Sequence, residues 1–524
     1  MRFFNTAGPV RPEDHYCLPP LGRLDLPWIL TLIAQKKYFV LHAPRQTGKT
    51  TCLLALMDLL NAGGRYRCLY VNVEPAQAAR NDVARGITAI VHQLATAAFL
   101  AGDPQLEGIV ADVLARKSPD VALEETLTRW CMQQGSKPLV LLVDEIDTLV
   151  GDTLISVLRQ VRAGYPRRPA LFPSTVVLCG VRDVRDYRIH QGDGEVITGG
   201  SAFNIKAESL RLGDFSRSEV QMVLAQHREE TGQVFLPEAV QVIWDLSQGQ
   251  PWLVNALAYE ACFRMEAGRD RSQPIAAALI DAAREQLILR REPHLDQLAD
   301  KLQEERVRRV IQPILEGSTA LERLAPDDIE YAVDLGLITT QGNLRIANPI
   351  YQEIIPRQLT ASVQVTITHE APWYLCPDGR LDMNRLLAAF QDFFREHAES
   401  WLERFHYREA GPQLLMQAFL QRIVNGGGRI DREYGLGRMR TDLLLAWPHP
   451  VGVQKVVIEL KVLHKGLAAT VQAGLAQTWE YADRCGAGEA HLVIFDRTPD
   501  KPWEEKCFRR EEECRGRRIT VWGL

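Results

Sequence analysis

The chain has 524 residues, 46% of them hydrophobic and 24% charged, and carries a formal net charge of -5 with a pI near 6.2. That length exceeds what one hydrophobic core usually organises, so several domains are expected, and the composition excludes a disordered or collagen-like chain. The mild negative charge excludes a protein that coats nucleic acid by bulk electrostatics. Contact with nucleic acid must then come from local basic patches, such as RVRR at 306–309 or the arginines around Arg438 and Arg440. For both patches a solvated face is the plainer reading.

The chain starts MRFFNTAGPVRPED, which has no charged segment followed by an apolar one, and the longest apolar stretches are of strand length. Neither secretion nor membrane spanning is therefore expected. Next, KKYFVLHAPRQTGKTTCLLALMDLL reads as a buried strand ending near His42 and an apolar-faced helix over Cys52 to Leu60. Between them, Ala43, Pro44, Arg45, Gln46, Thr47, Gly48, Lys49, Thr50 and Thr51 follow the pattern of a phosphate-binding loop, with Ala43 in place of its first glycine. Gly48 lets backbone N–H groups approach phosphates, the helix turns its positive end on them, Lys49 bridges the β- and γ-phosphates, and Thr50 holds Mg²⁺. Downstream, PLVLLVDEID (138–147) is an apolar strand ending in acids. That pattern suits a central parallel strand, with Asp144 on Mg²⁺ at its carboxyl end and Glu145 as the base for the attacking water.

A third strand, STVVLCG (174–180), precedes VRDVRDYR. Together these segments resemble the STAND branch of AAA-type ATPases, and DEID is similar to origin-recognition-type ATPases. The resemblance implies that Arg182 senses the γ-phosphate; a surface ion pair with Asp183 or Asp186 is the alternative. It continues through SQGQPWLVNALA, where Gly249 and Pro251 match the G-x-P of the STAND lid and Pro251 is implied to pack near adenine. Starting a helix is the bland role for that proline. His15, Tyr16 and Arg23 are candidates for the base pocket. Beyond a charged helical stretch, VRRVIQPILEG, DDIEYAVDLGLI, a QGN turn and LRIANPIYQEIIP read as a winged helix. In such ATPases this element holds the switch closed or passes on its state, or binds DNA.

After Gln358 the pattern changes to a strand ASVQVTITH, helices over 383–404 and 412–424, and strands in GRIDREYGLG, RMRTDLLLAW and VQKVVIELKVL. Side chains alternate along a strand, so Glu459 and Lys461 project from one face, and Asp442 on the neighbouring strand can meet them. Two carboxylates plus a carbonyl suit Mg²⁺ or Mn²⁺, which lowers the pKa of a bound water, while the lysine positions the nucleophile. An exposed Glu-x-Lys is common, but this one interrupts an apolar strand. Asp442, Glu459 and Lys461, with Thr441 where proline is frequent, resemble the PD-(D/E)XK nucleases. The downstream helix adds Gln477 and Tyr481 in the manner of their Q-x-x-x-Y helix. Glu409 is the candidate for a first-helix acid, with Gln413 and Gln417 deeper in that helix. Trp447 and Trp503 read as packing. The ten cysteines form no CxxC pair, and Cys507 and Cys514 are too widely spaced for zinc, which fits a reducing cytoplasm.

The expected architecture is α/β and multidomain. It comprises a P-loop ATPase core with a doubly wound parallel sheet (1–200), a helical lid (201–300), a winged helix (301–360) and a C-terminal α/β PD-(D/E)XK nuclease fold (361–524). The expected activity is ATP-gated, Mg²⁺-dependent cleavage of nucleic acid, DNA in preference to RNA. The domain pairing suits defence against foreign DNA in a prokaryote, and the resemblance implies self-assembly, with Arg159 or Arg162 reaching a neighbour's ATP. The rival is an ATP-driven signalling or scaffolding switch whose C-terminal domain binds nucleic acid without cutting it.

Overall fold

The computed structural model describes residues 1–133, 137–183, 188–190, 196–198, 203–290, 293–315, 324–341, 344–355, 374–402, 411–424, 429–434, 441–463, 466–496, 498 and 501–524. They form two compact units, residues 1–290 with 333–336, and residues 291–332 with 337–524.

The first unit is built on a parallel sheet. β1 (Tyr38–His42), β3 (Leu139–Asp144) and β4 (Thr175–Gly180) are buried at every position, as strands covered on both faces must be. β2 (Arg67–Asn72) and β7 (Lys206–Arg211) are more polar and form the edges, giving the order β2-β3-β4-β1-β7. A short antiparallel pair, β5 (Arg188–His190) and β6 (Val196–Thr198), lies in the chain between β4 and β7.

On one sheet face, α1 (Leu26–Ala34) and α2 (Lys49–Ala62) pack Ile33, Leu53 and Leu56 against Phe39, Leu142 and Val177. The other face is covered by α3 (Val83–Leu100), α4 (Gln105–Arg116), α5 (Pro119–Gln133) and α6 (Gly151–Gly164). α3 is long and apolar enough to cross a membrane, but Ile87, Ile90, Val91 and Leu94 are spent on this core. A helical group follows, comprising α7 (Arg217–Thr231), α8 (Pro237–Ser247), α9 (Pro251–Tyr259) and α10 (Ala277–Arg290). A reciprocal cap starts α7: the Ser216 hydroxyl accepts from the Glu219 N–H and the Glu219 carboxylate from the Ser216 N–H.

The second unit opens with α11 (Pro293–Leu302), α12 (Glu305–Leu315) and α13 (Pro326–Asp334). The antiparallel pair β8 (Ile338–Thr339) and β9 (Arg345–Ile346) comes next, then helical residues 349–355. Its main body is a six-stranded sheet in the order β10-β11-β12-β13-β15-β14. The strands are β10 (Arg429–Tyr434), β11 (Thr441–His449), β12 (Gly452–Val462), β13 (Glu489–Phe495), β14 (Phe508–Cys514) and β15 (Arg517–Gly523). β12, β13 and β15 run parallel, and the remaining pairings are antiparallel. α14 (Met383–Leu402) and α15 (Gly411–Val424) supply one core, which includes Ile458 and Leu460. α16 (Leu467–Cys485) covers the other face, where Val457 and Leu492 sit. The expected strand ASVQVTITH and Glu409 lie outside the described residues.

Candidate nucleotide site and a buried acid-amine pair

The phosphate-loop sequence forms a tight turn between β1 and α2. Gln46 and Gly48 both take left-handed backbone conformations, with φ of 58° and 93°. Such a turn points successive N–H groups inward, as an anion requires. A side chain at Gly48 would also come within 2.8 Å of Arg23 Nη1. Arg23 donates to the carbonyls of Thr47 and Gly213, tying the loop to the start of the helical group. The Thr47 hydroxyl donates to Pro44 O at 2.8 Å. Lys49 is buried, and its amine is held at 2.9 Å by Ala43 O and 3.0 Å by Pro44 O.

Asp144 ends β3 fully buried. Its Oδ2 accepts from the Thr50 hydroxyl at 2.7 Å and the Tyr70 hydroxyl at 3.0 Å, and its Oδ1 from the Glu145 N–H at 2.9 Å. Two hard oxygens, from Thr50 and Asp144, therefore meet beside the loop, a donor set that fits Mg²⁺ shared with phosphates. Glu145 is left-handed at φ 58° and ψ 37°, a conformation that costs a residue with a side chain roughly 1–3 kcal/mol. Burial, and then the charges of Asp147 and Asp144, hold its carboxyl above the ordinary range, against the pull of Lys49 and Arg45. Asp147 accepts from the Val181 N–H at 3.0 Å and so fastens this turn to the end of β4. Arg182 follows two residues after β4, partly exposed. The neighbouring Asp183 is buried and holds the Lys206 amine at 2.7 and 2.5 Å.

A cavity of about 100 Å³, partly open to solvent, adjoins the loop. Gly48, Thr51, Tyr16, Arg23 and Pro251 line it. Gly249 makes the position of Pro251 possible: at φ 82° its missing Cβ would lie 2.0 Å from Phe215 O. The N-terminal residues form a strap over this cavity. Val10 N–H donates to the Thr51 hydroxyl at 3.1 Å, Trp252 donates to Thr6 O at 2.9 Å, and Gln226 bonds both N–H and carbonyl of Cys17 at 3.2 and 2.8 Å. His15 instead closes a turn by accepting from the Arg11 N–H at 2.9 Å. Sequence reasoning missed Tyr70, Asp147 and the strap. Tyr70 left a signal in the apolar run of RCLYVN, and Asp147 as the last residue of DEID.

In the second unit, Glu459 and Lys461 share one face of β12, carboxylate to amine at 2.5 Å. Glu459 is fully buried and the Lys461 side chain is 15% exposed. Register sets Asp442 directly opposite Glu459. Leu444, two residues along, packs in the core beneath α16, so position 442 falls on the α16 face. α16 carries Gln477, whose Oε1 is buried without a hydrogen-bond partner, and the buried Tyr481. Gln417 is buried on α15, which packs on the opposite sheet face. Among the described residues no three His, Cys, Asp or Glu side chains gather to hold a metal; the Asp442 side chain lies outside that description. Of the basic patches, RVRR is partly countered, with Arg306 and Arg309 on Asp328 at 2.8 and 3.2 Å. Arg438 and Arg440 lie outside the described residues. Trp447 is buried and donates to Gly379 O at 3.0 Å, and Trp503 packs on Phe394, so both serve packing.

Residues 33–187 match the AAA domain family, and this part of the chain is an AAA-type P-loop ATPase domain. No curated protein matches the chain. Among solved structures, the Aeropyrum pernix ORC2 protein is 15% identical with a TM-score of 0.41, covering 68% of this chain and 96% of that one. Cdc6p from Pyrobaculum aerophilum is 14% identical with a TM-score of 0.36, covering 72% and 93%. The Thermotoga maritima RuvB Holliday junction branch migration motor is 15% identical with a TM-score of 0.32, covering 62% and 92%.

Proposed function

We propose that the chain is an ATP-hydrolysing switch whose second unit acts on nucleic acid. The observation that carries the first half is the meeting of the Thr50 hydroxyl and the Asp144 carboxylate at 2.7 Å beside the phosphate loop. In this reading the loop N–H groups from Arg45 to Thr51 cradle the phosphates, Lys49 neutralises their β and γ charges, and Thr50 with Asp144 holds Mg²⁺. Bound Mg²⁺ supplies charge neutralisation and a fixed phosphate geometry. Glu145, its carboxylate made more basic by burial, takes a proton from the attacking water. Arg182 reads the γ-phosphate, and Pro251 packs on the base. Residues 201–300, apart from the core-sheet strand β7, serve as the lid and 301–360 as a winged helix relaying the switch. Arg159 or Arg162, both exposed on α6, would reach the ATP of a second copy.

The test is direct. Lys49→Ala should abolish ATP binding, and Glu145→Gln should keep bound ATP while phosphate release falls about 100-fold or more. Wild-type hydrolysis in both variants would sink the assignment.

For residues 361–524 we propose a PD-(D/E)XK-type, metal-dependent nuclease, acting on DNA in the cytoplasm, with defence against foreign DNA as its setting. Support comes from the Glu459–Lys461 pair, the register that sets Asp442 opposite Glu459, and Gln477 on the covering helix. Access to the buried carboxylate would be from the Lys461 side. Wild type should cut plasmid, single-stranded DNA or RNA with Mg²⁺ or Mn²⁺, and Lys461→Met should not, with ATP turnover unchanged. Wild type that hydrolyses ATP but never cuts would favour the rival, a switch whose second unit binds nucleic acid without cleavage.

A further inference from the structure

Among the described residues that line the nucleotide cavity, one carries a buried side-chain acceptor without a donor. Asn255, four residues after Pro251 on α9, lines the cavity and is only 9% exposed. Its Nδ2 donates to Pro251 O at 2.8 Å. A carbonyl can only accept, so this bond fixes which end of the amide is nitrogen. The other end, Oδ1, is buried with no hydrogen-bond partner. Back-bonding to the preceding helical turn explains the nitrogen and leaves the oxygen unexplained.

The neighbouring polar groups are already engaged. Asn5 accepts from Ala7 N–H at 3.2 Å and donates to Gly8 O at 3.1 Å, while Tyr16 OH pairs with His227 Nδ1 at 3.3 Å. Trp252 and the Cys17 backbone are bonded within the strap and to Gln226. A buried acceptor is costly unless something entering the cavity donates to it.

We infer that Asn255 is the base-selecting residue of this site, its Oδ1 accepting a hydrogen bond from the exocyclic amine of adenine. The inference rests on the reading of the first unit as a nucleoside triphosphate site. Adenine presents a donor where guanine and hypoxanthine present a carbonyl. A carbonyl there would face Oδ1 acceptor to acceptor. Asn255 thus selects against the oxo-purines as well as for ATP.

The experiment is displacement of a fluorescent ATP analogue from the full chain by ATP, by purine riboside triphosphate, which has hydrogen in place of the amine, and by inosine triphosphate. Wild type should hold ATP about tenfold more tightly than purine riboside triphosphate, and inosine triphosphate more weakly than either. Asn255→Leu should bring ATP and purine riboside triphosphate to about the same affinity, within roughly twofold. Asn255→Asp, which keeps an acceptor in place, should preserve the order. Because each readout is a ratio within one variant, a general loss of stability does not imitate it. If Asn255→Leu keeps the wild-type ratio, the assignment of Asn255 is wrong and the ATP site stands. If wild type binds no triphosphate, the site reading falls and this assignment with it.

Discussion

Asp144 and Glu459 are both fully buried acids at strand positions, and they are stabilised in opposite ways. Asp144 is met by two hydroxyls and an amide N–H. Those groups are dipoles, so the carboxylate has spare lone pairs for a cation. Glu459 is met by an amine at 2.5 Å, which already supplies the opposite charge. A cation arriving there must share the carboxylate with Lys461 or move it aside. A buried acid surrounded by hydroxyls is poised to bind, whereas one paired with an amine is primarily held.

That contrast breaks first on stability. Glu459→Ala takes the carboxylate away from the largely buried Lys461 amine and should lower the unfolding free energy by about 3–5 kcal/mol, measured by chemical denaturation. Glu459→Leu combined with Lys461→Met should return close to wild type, because the apolar pair carries no desolvation cost. If the double variant stays as unstable as the single one, the pair is not the source of the effect. Asp144→Asn should cost less, about 1–3 kcal/mol, since the amide oxygen still accepts from Thr50 and Tyr70 while the amide nitrogen is left facing the Glu145 N–H. A smaller effect sharpens the other side. Tyr70→Phe removes one hydroxyl from Asp144 and should raise the Mg²⁺ concentration for half-maximal turnover about five- to tenfold. Nucleotide affinity in EDTA should stay at the wild-type value, and a drop there would mean that Tyr70 only supports the fold.

What the sequence made legible follows the same division. The loop from Ala43 to Thr51 is local, nine consecutive residues between a strand and a helix, so its spacing nearly is its geometry. β3 and β4 were readable because burial on both faces leaves an unbroken apolar run. β7, KAESLR, was not, because an edge strand exposes part of its length and carries no such run. On β12 the two-residue period put Glu459 and Lys461 on one face, and the ion pair bears this out. How deeply that face is buried depends on α16, which strand spacing does not report. RVRR read as a basic patch because its counter-charge, Asp328, lies on a different helix. Asn255 was invisible for a related reason: an Asn within an apolar helix signals nothing until the neighbours that fail to satisfy it are known.

The order of the first sheet has a mechanical corollary. β4 is wedged between the strand that runs into the phosphate loop and the strand that ends in Asp144. With neighbouring strands about 4.8 Å apart, backbone pairing of β4 on both sides fixes the spacing between those two ends, and side chains, which project out of the sheet, do not alter it. The reach across which Thr50 meets Asp144 is therefore as constant as that pairing.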